Sequence, residues 1–350
     1  MNKESVINER LKRQQLLQPL NDSRNKQAYL RLFRLLQPVA PVFNSRPGDP
    51  PKLVHRTTFD DSLISERLRE QHKLVKGRFQ GGRVGYVLEE DLNLYAGIFR
   101  KPLKKMTPLH EEILTTIQNS GGISKDQLKE ELPYLAKEIT AALKRLQEAY
   151  LVYEDQIDTD WNTGWFHFET EWFEIKLTKG LEAAVSEMLL NFLEACVFAT
   201  LDQIKSWSQL KINTIQMVLN QLVEEKRIVR MTIDGLGEGF IQSKDTDLEY
   251  MEIPLTVFML DKSDFLVRVY LNELKETYKG QEVLQYLLID GEFKGAVLGH
   301  WRIGPHDIED VKLLLTQDEA MCRKEDIINA IREGYSSDTT DILRFNGQNI

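Results

Sequence analysis

Two stretches of this sequence carry the same succession of local signals, about 75 residues apart, and such a repeat outweighs either copy read alone. In the first, Thr107 followed by Pro108 opens a helix through Gln118: the hydroxyl can accept from an orphan N–H, and proline presets φ in the first turn. Gly121-Gly122 ends it. Ser124-x-x-Gln127 is a capping box for a short second helix, and a third spans 134–149 with Ile139, Leu143 and Leu146 on one face. Strands are expected at 151–154 and 165–170. In the second copy a helix over 183–198 precedes a capping box at Thr200-x-x-Gln203. A helix over 213–225 then turns Ile215, Val218, Leu219 and Leu222 inward, and residues 227–233 and 240–242 form a hairpin. Helix, helix, helix and hairpin is the winged-helix order.

The rest of the chain is less periodic. Between Asn8 and Leu36 two short amphipathic helices, broken at Pro19 and Asn21, carry basic residues on their polar faces. A proline-rich loop leads to a helix over 60–71, two strands about Gly81-Gly82, a helix over 91–99 and a basic linker at 101–108. After Thr246 longer apolar strands are expected at 253–260 and 283–290, a hairpin turn at Asp290-Gly291, a strand over 294–304 and a helix over 324–332. The expected fold is α+β: tandem winged-helix domains, three in number, then a C-terminal β-rich α+β module. The boundaries fall at 1–105, 106–178, 179–245 and 246–350.

Composition narrows the function classes. No stretch reaches the roughly 18 apolar residues of a membrane span, since 183–201 is broken by Glu187 and Glu194. The N-terminus has neither an apolar core nor a small-residue cleavage site, so a cytoplasmic protein is expected. Two cysteines, Cys196 and Cys322, cannot build a disulfide framework, and the six histidines show no zinc spacing; neither metal nor cofactor is expected. The net charge of −9 is unevenly spread: residues 1–105 hold 21 Lys and Arg against 11 Asp and Glu, and residues 106–350 hold 24 against 43. That is +10 followed by −19, which places a polyanion partner at the N-terminal third and leaves the acidic remainder for a protein partner.

Within the basic third, Lys73, Lys76, Arg78 and Arg83 crowd one hairpin whose glycines permit close backbone approach, and Lys104 and Lys105 follow. The functional reading is phosphate contact. The alternative is a basic surface docked on the acidic part of the chain. Gly235-Leu236-Gly237-Glu238-Gly239 follows one strand and precedes another, so it is a hairpin tip and not a phosphate loop, which needs a helix next.

Several short patterns occur in a recognisable order: Arg13-Gln14-Gln15-Leu16-Leu17; Leu36-Gln37-Pro38-Val39-Ala40-Pro41; Leu53, Arg56 and Phe59; Val87 and Asp91; and Asp290-Gly291 before Gly299-His300-Trp301-Arg302. In this order the chain resembles the bacterial winged-helix DNA glycosylases that unhook interstrand crosslinks and bulky alkylated bases, a family of three tandem winged helices and a C-terminal β-rich module. The resemblance implies Gln37 as a catalytic residue and double-stranded DNA, damaged or distorted, as the partner. Nucleic-acid contacts are expected from Arg13, Arg46, Arg56, Lys73, Lys76, Arg78, Arg83, Lys104 and Lys105. Gln37 is then expected to turn its amide into a basic cleft shared with Arg46, Arg56 and Arg83. The family pairs its glutamine with a second Gln or Asp two residues on, and Val39 stands there. Hydrolysis of an N-glycosidic bond needs polar groups to hold water and balance oxocarbenium charge, which valine cannot do. A winged-helix transcriptional regulator and a non-catalytic interaction scaffold remain as alternatives.

Overall fold

The computed structural model describes residues 1–42, 50–156, 163–175, 181–300 and 307–350. The first helix, α1 (Lys3–Arg13), begins earlier than the periodicity predicts, because the Asn2 side chain accepts the Ser5 N–H at 3.0 Å. It stops before Gln15, whose φ of 58° is left-handed. Its face is not as expected either: Arg10 is 3% exposed.

Next come α2 (Lys26–Leu36), α3 (Ser62–Glu70), β1 (Leu74–Phe79), β2 (Arg83–Leu88) and α4 (Leu92–Phe99). The two strands pair antiparallel about Gly81 and Gly82, both at positive φ. The first repeat follows as α5 (Pro108–Ser120), β3 (Ile123–Ser124), α6 (Lys125–Glu131), α7 (Ala136–Glu148), β4 (Val152–Gln156), β5 (Thr163–His167) and α8 (Phe168–Glu171). Both predicted capping signals are made. Ile139, Leu143 and Leu146 pack with Ile113, Ile117, Leu128 and Trp165. The expected strand over 165–170 is cut short. Its last residues turn helical, burying Phe168 edge-on against Tyr150 and Tyr153, with Glu169 and Glu171 favourably placed in the first turn.

The second repeat comprises α9 (Leu181–Cys196), β6 (Phe198–Ala199), α10 (Leu201–Ser208), α11 (Ile212–Glu224), β7 (Ile228–Ile233) and β8 (Gly237–Gln242). Its sheet order, β6-β8-β7, is that of β3-β5-β4. The C-terminal part holds β9 (Val257–Leu260), α12 (Phe265–Thr277), β10 (Val283–Ile289), β11 (Glu292–Leu298), β12 (Asp310–Leu313), α13 (Gln317–Cys322), α14 (Lys324–Arg332), β13 (Arg344–Phe345) and β14 (Gln348–Asn349). These strands form one sheet in the order β14-β13-β12-β11-β10-β9. Three expectations change here. The strand over 253–260 begins only at Val257, after Pro254, which has no N–H for a ladder. Helix α12 goes beyond the expected elements: its apolar residues are too evenly spread for a clean stripe, and Asp264 caps it by accepting the Leu266 N–H at 2.8 Å. The strand expected over 294–304 is β11, which ends at Leu298; residues 301–306 lie outside the described residues.

The chain divides into two compact units, neither continuous in sequence. One comprises Met1–Gln18, Ala195–Trp207 and Glu225–Ile350, the other Pro19–Glu194 and Ser208–Glu224. In the first, Val6 of α1 packs with Val197, Phe198, Ile233 and Ile241. Ile7 lies over the Asp290-Gly291 turn, where a Cβ on Gly291 would come within 2.2 Å of its Cγ2. No helix among the described residues is long and apolar enough to cross a membrane.

Candidate nucleic-acid interface and the Gln37 site

Gln37 ends α2 and stands beside the hairpin β1–β2. Its side-chain Oε1 accepts the Leu88 N–H at 2.9 Å and its Nε2 donates to Asp91 Oδ2 at 2.8 Å, while its carbonyl accepts from the Tyr95 hydroxyl at 3.2 Å. Asp91 Oδ2 also accepts from Arg34 Nε at 2.8 Å. Burial, with the Asp91 charge adding to it, raises the Tyr95 phenol far above its ordinary range, so it remains a donor. Arg34, Asp91 and Gln37 thus form a chain of charge-assisted bonds closed on the backbone of β2. Asp91 is visible in the sequence as a pattern position. Arg34 and Tyr95 are not, and their only sequence signal is a place one turn from Gln37 or from Asp91.

The expected open amide is therefore not found. Gln37 is 1% exposed, with both ends of its amide bonded inside the fold. Two residues on, Val39 donates its N–H to the Tyr86 carbonyl at 2.9 Å and accepts the Tyr86 N–H at 2.8 Å, pairing with β2 as an isolated bridge. Pro38 rests against Gly85, where a Cβ would meet it at 3.1 Å. The backbone is well held here, but the Val39 side chain brings no polar group.

The cations sort into those held inside the fold and those left available. Arg13 bonds Asp245 through both Nη atoms, at 2.9 and 2.6 Å, and Glu9 through Nε at 2.8 Å. Arg56 is 2% exposed and donates to the Val54 carbonyl at 3.0 Å. On the hairpin, Lys73 pairs with Glu89 at 2.7 Å and Lys76 with Glu154 at 2.9 Å. Arg78 donates to Gln147 Oε1 at 2.6 Å and to the Gly82 carbonyl at 3.0 Å. At the hairpin tip a Cβ on Gly82 would lie 2.8 Å from Glu148 Oε1. The hairpin thus packs on α7 and β4, and the cations of β1 are met by acceptors of the following module. Arg83 is different: among the described residues its buried Nη1 has no hydrogen-bond partner, and burial lowers the guanidinium pKa with no carboxylate among them opposing it. Lys104 and Lys105 are exposed and have no ion pair among the described residues. Arg46, which the sequence reading places beside Gln37, Arg56 and Arg83, lies outside the described residues.

Comparison with solved structures finds the Streptomyces sahachiroi DNA glycosylase AlkZ at a TM-score of 0.67 and 12% identity, covering 99% of each chain. The chain has the fold of this glycosylase. At that identity the likeness with AlkZ is one of backbone architecture. No protein-family model matches the sequence, and no curated protein does.

Proposed function

We propose that this protein binds duplex DNA, preferring distorted or alkylated sites, without turning over an N-glycosidic bond above background. The observation that carries the reading is the end-to-end fold match to AlkZ, a DNA glycosylase, in a chain whose N-terminal third is basic. The reading divides the chain into three winged-helix modules, over 1–105, 106–178 and 179–245, and a β-rich module over 246–350. The two repeats with equal sheet order support the second and third of these.

For phosphate contact the proposal relies on Arg83, Lys104 and Lys105, because a cation already neutralised by a carboxylate gains little from a phosphate. Lys73, Lys76, Arg78 and Arg13 contribute mainly by holding the modules' shape. Gln37 is bonded internally and Val39 has no polar atom to replace the family's second group, so little remains to position water.

The test is a mobility shift of plain, mismatched and alkylated duplexes over a salt series. Binding that weakens steadily with salt, and is tightest for the distorted duplexes, is expected. No shift with any duplex at low salt overturns the proposal.

A further inference from the structure

In the compact unit that contains α1, a cavity of about 310 Å³ opens between α1, the start of α10, α12 and the beginning of β11. It falls at the small end of the roughly 300–1,000 Å³ typical of ligand pockets. Two hairpin turns shape its rim, at Gly235 beside Lys3 and at Gly291 beside Ile7.

Its polar groups are fixed. Arg10 donates Nε to the Cys196 carbonyl at 2.8 Å, Nη2 to the Phe198 carbonyl at 2.9 Å and Nη1 to the Tyr270 hydroxyl at 2.7 Å, its charge lying 5.8 Å from the Tyr270 ring centre. Gln203 is locked by the capping box, its Oε1 accepting the Thr200 N–H at 3.0 Å. This leaves its Nε2 aimed at Glu273 Oε1, at 3.4 Å. Glu273 opens to the cavity with no ion pair among the described residues, and burial of its carboxylate raises its pKa above the usual range. Glu292 at the rim is paired with Lys3 and, at 3.4 Å, with Lys294.

Three features restrict the ligand. The charged lining residues, Arg10 and Lys294 against Glu273 and Glu292, sum to zero, which disfavours a strongly charged molecule. Tyr270 and Phe293, with ring centres 5.4 Å apart and planes inclined at 58°, give the cavity aromatic surface against which a ring can pack. Glu273 offers an acceptor beside the Gln203 donor, the pattern that reads an exocyclic amine next to a ring acceptor.

We propose that this pocket binds a neutral amino-substituted heterocycle, a nucleobase of the adenine or cytosine type, through Glu273 and Gln203. The base can be presented as a free nucleoside or within a DNA strand, and the pocket serves it whether or not catalysis occurs elsewhere.

The experiment is saturation-transfer NMR on the full chain with deoxyadenosine, deoxycytidine and thymidine, followed by competition with a duplex carrying one unpaired adenine. Transfer to the two amino-bearing nucleosides is expected, with thymidine, which has no exocyclic amine, at least tenfold weaker. Glu273→Leu, which removes the acceptor, should weaken binding at least tenfold. Gln203→Glu keeps a capping box with Thr200 and so keeps the helix start, yet removes the donor; it should also lose binding. Circular dichroism checks that both variants are folded. Displacement by the duplex assigns the source to DNA, and retention of the nucleoside assigns it to the free molecule. Equal binding of thymidine, wild-type binding by both folded variants, or no transfer to any nucleoside overturns the proposal.

Discussion

The side-chain amide of Gln37 donates to Asp91 at 2.8 Å while its oxygen holds the Leu88 N–H, so one residue joins the end of α2 to the last residue of β2 and to Asp91. Gln37→Ala leaves a buried N–H and part of a carboxylate without partners. A loss of about 2 kcal/mol is expected from the desolvation of such orphans. Urea denaturation measures it, and an unchanged midpoint would show that the chain from Arg34 to Gln37 is not structural.

The same geometry bears on chemistry. Abasic-site formation in duplexes carrying alkylated purines is expected to stay at background for wild type. Release by wild type that Gln37→Ala abolishes, in a variant still folded, would show that the internally bonded amide nonetheless acts on substrate.

The cations should separate by what they already touch. Arg83→Gln, Lys104→Gln and Lys105→Gln are each expected to flatten the plot of log affinity against log salt, by about 1 for each phosphate left unneutralised, with little change in stability. Lys76→Gln and Arg78→Gln should do the reverse, because each breaks a bond to Glu154 or Gln147. Titrations at several salt concentrations alongside thermal melts distinguish the groups, and equal slopes for all five would dissolve the distinction.

Gly291 sits at φ 75° under Ile7. Gly291→Ala places a methyl inside van der Waals contact and on a backbone disfavoured for L residues, and a loss of about 2–3 kcal/mol is expected. Ile7→Ala in the same chain should recover about 1 kcal/mol of it in a double-mutant cycle, the strain at φ remaining. Strict additivity would mean that α1 does not press on this turn.

Burial pushes the Cys196 thiol up to about 12, whereas Cys322 is exposed. The raised value keeps Cys196 protonated, and so unreactive, throughout the neutral and mildly alkaline range. A thiol titration at pH 8 should consume one equivalent of disulfide reagent in the native protein and two in denaturant. Two equivalents in the native state would mean that the helix bearing Cys196 opens readily.

Much of the architecture is legible in the sequence because it is local. Capping boxes at Ser124 and Thr200 act within one turn, the stripe of Ile139, Leu143 and Leu146 follows from 3.6 residues per turn, and Asp290-Gly291 supplies the positive φ values that a two-residue hairpin needs. What the residues could not disclose is which partner each polar group meets across long stretches of chain. The basic hairpin reads in sequence as a row of free cations, and in the fold Glu154 and Gln147 lie against Lys76 and Arg78. Gln37 reads in sequence as an open amide, and in the fold Leu88 and Asp91 are bonded to its two ends. Helix α12 and α1 create a cavity only because strand pairing sets the Gly291 turn beneath Ile7, a relation between residues far apart in the sequence. Backbone hydrogen bonds and side-chain periodicity act over a few residues and can be read in order. The neutralisation or exposure of a charge depends on what the folded chain brings beside it, and only the tertiary structure decides that.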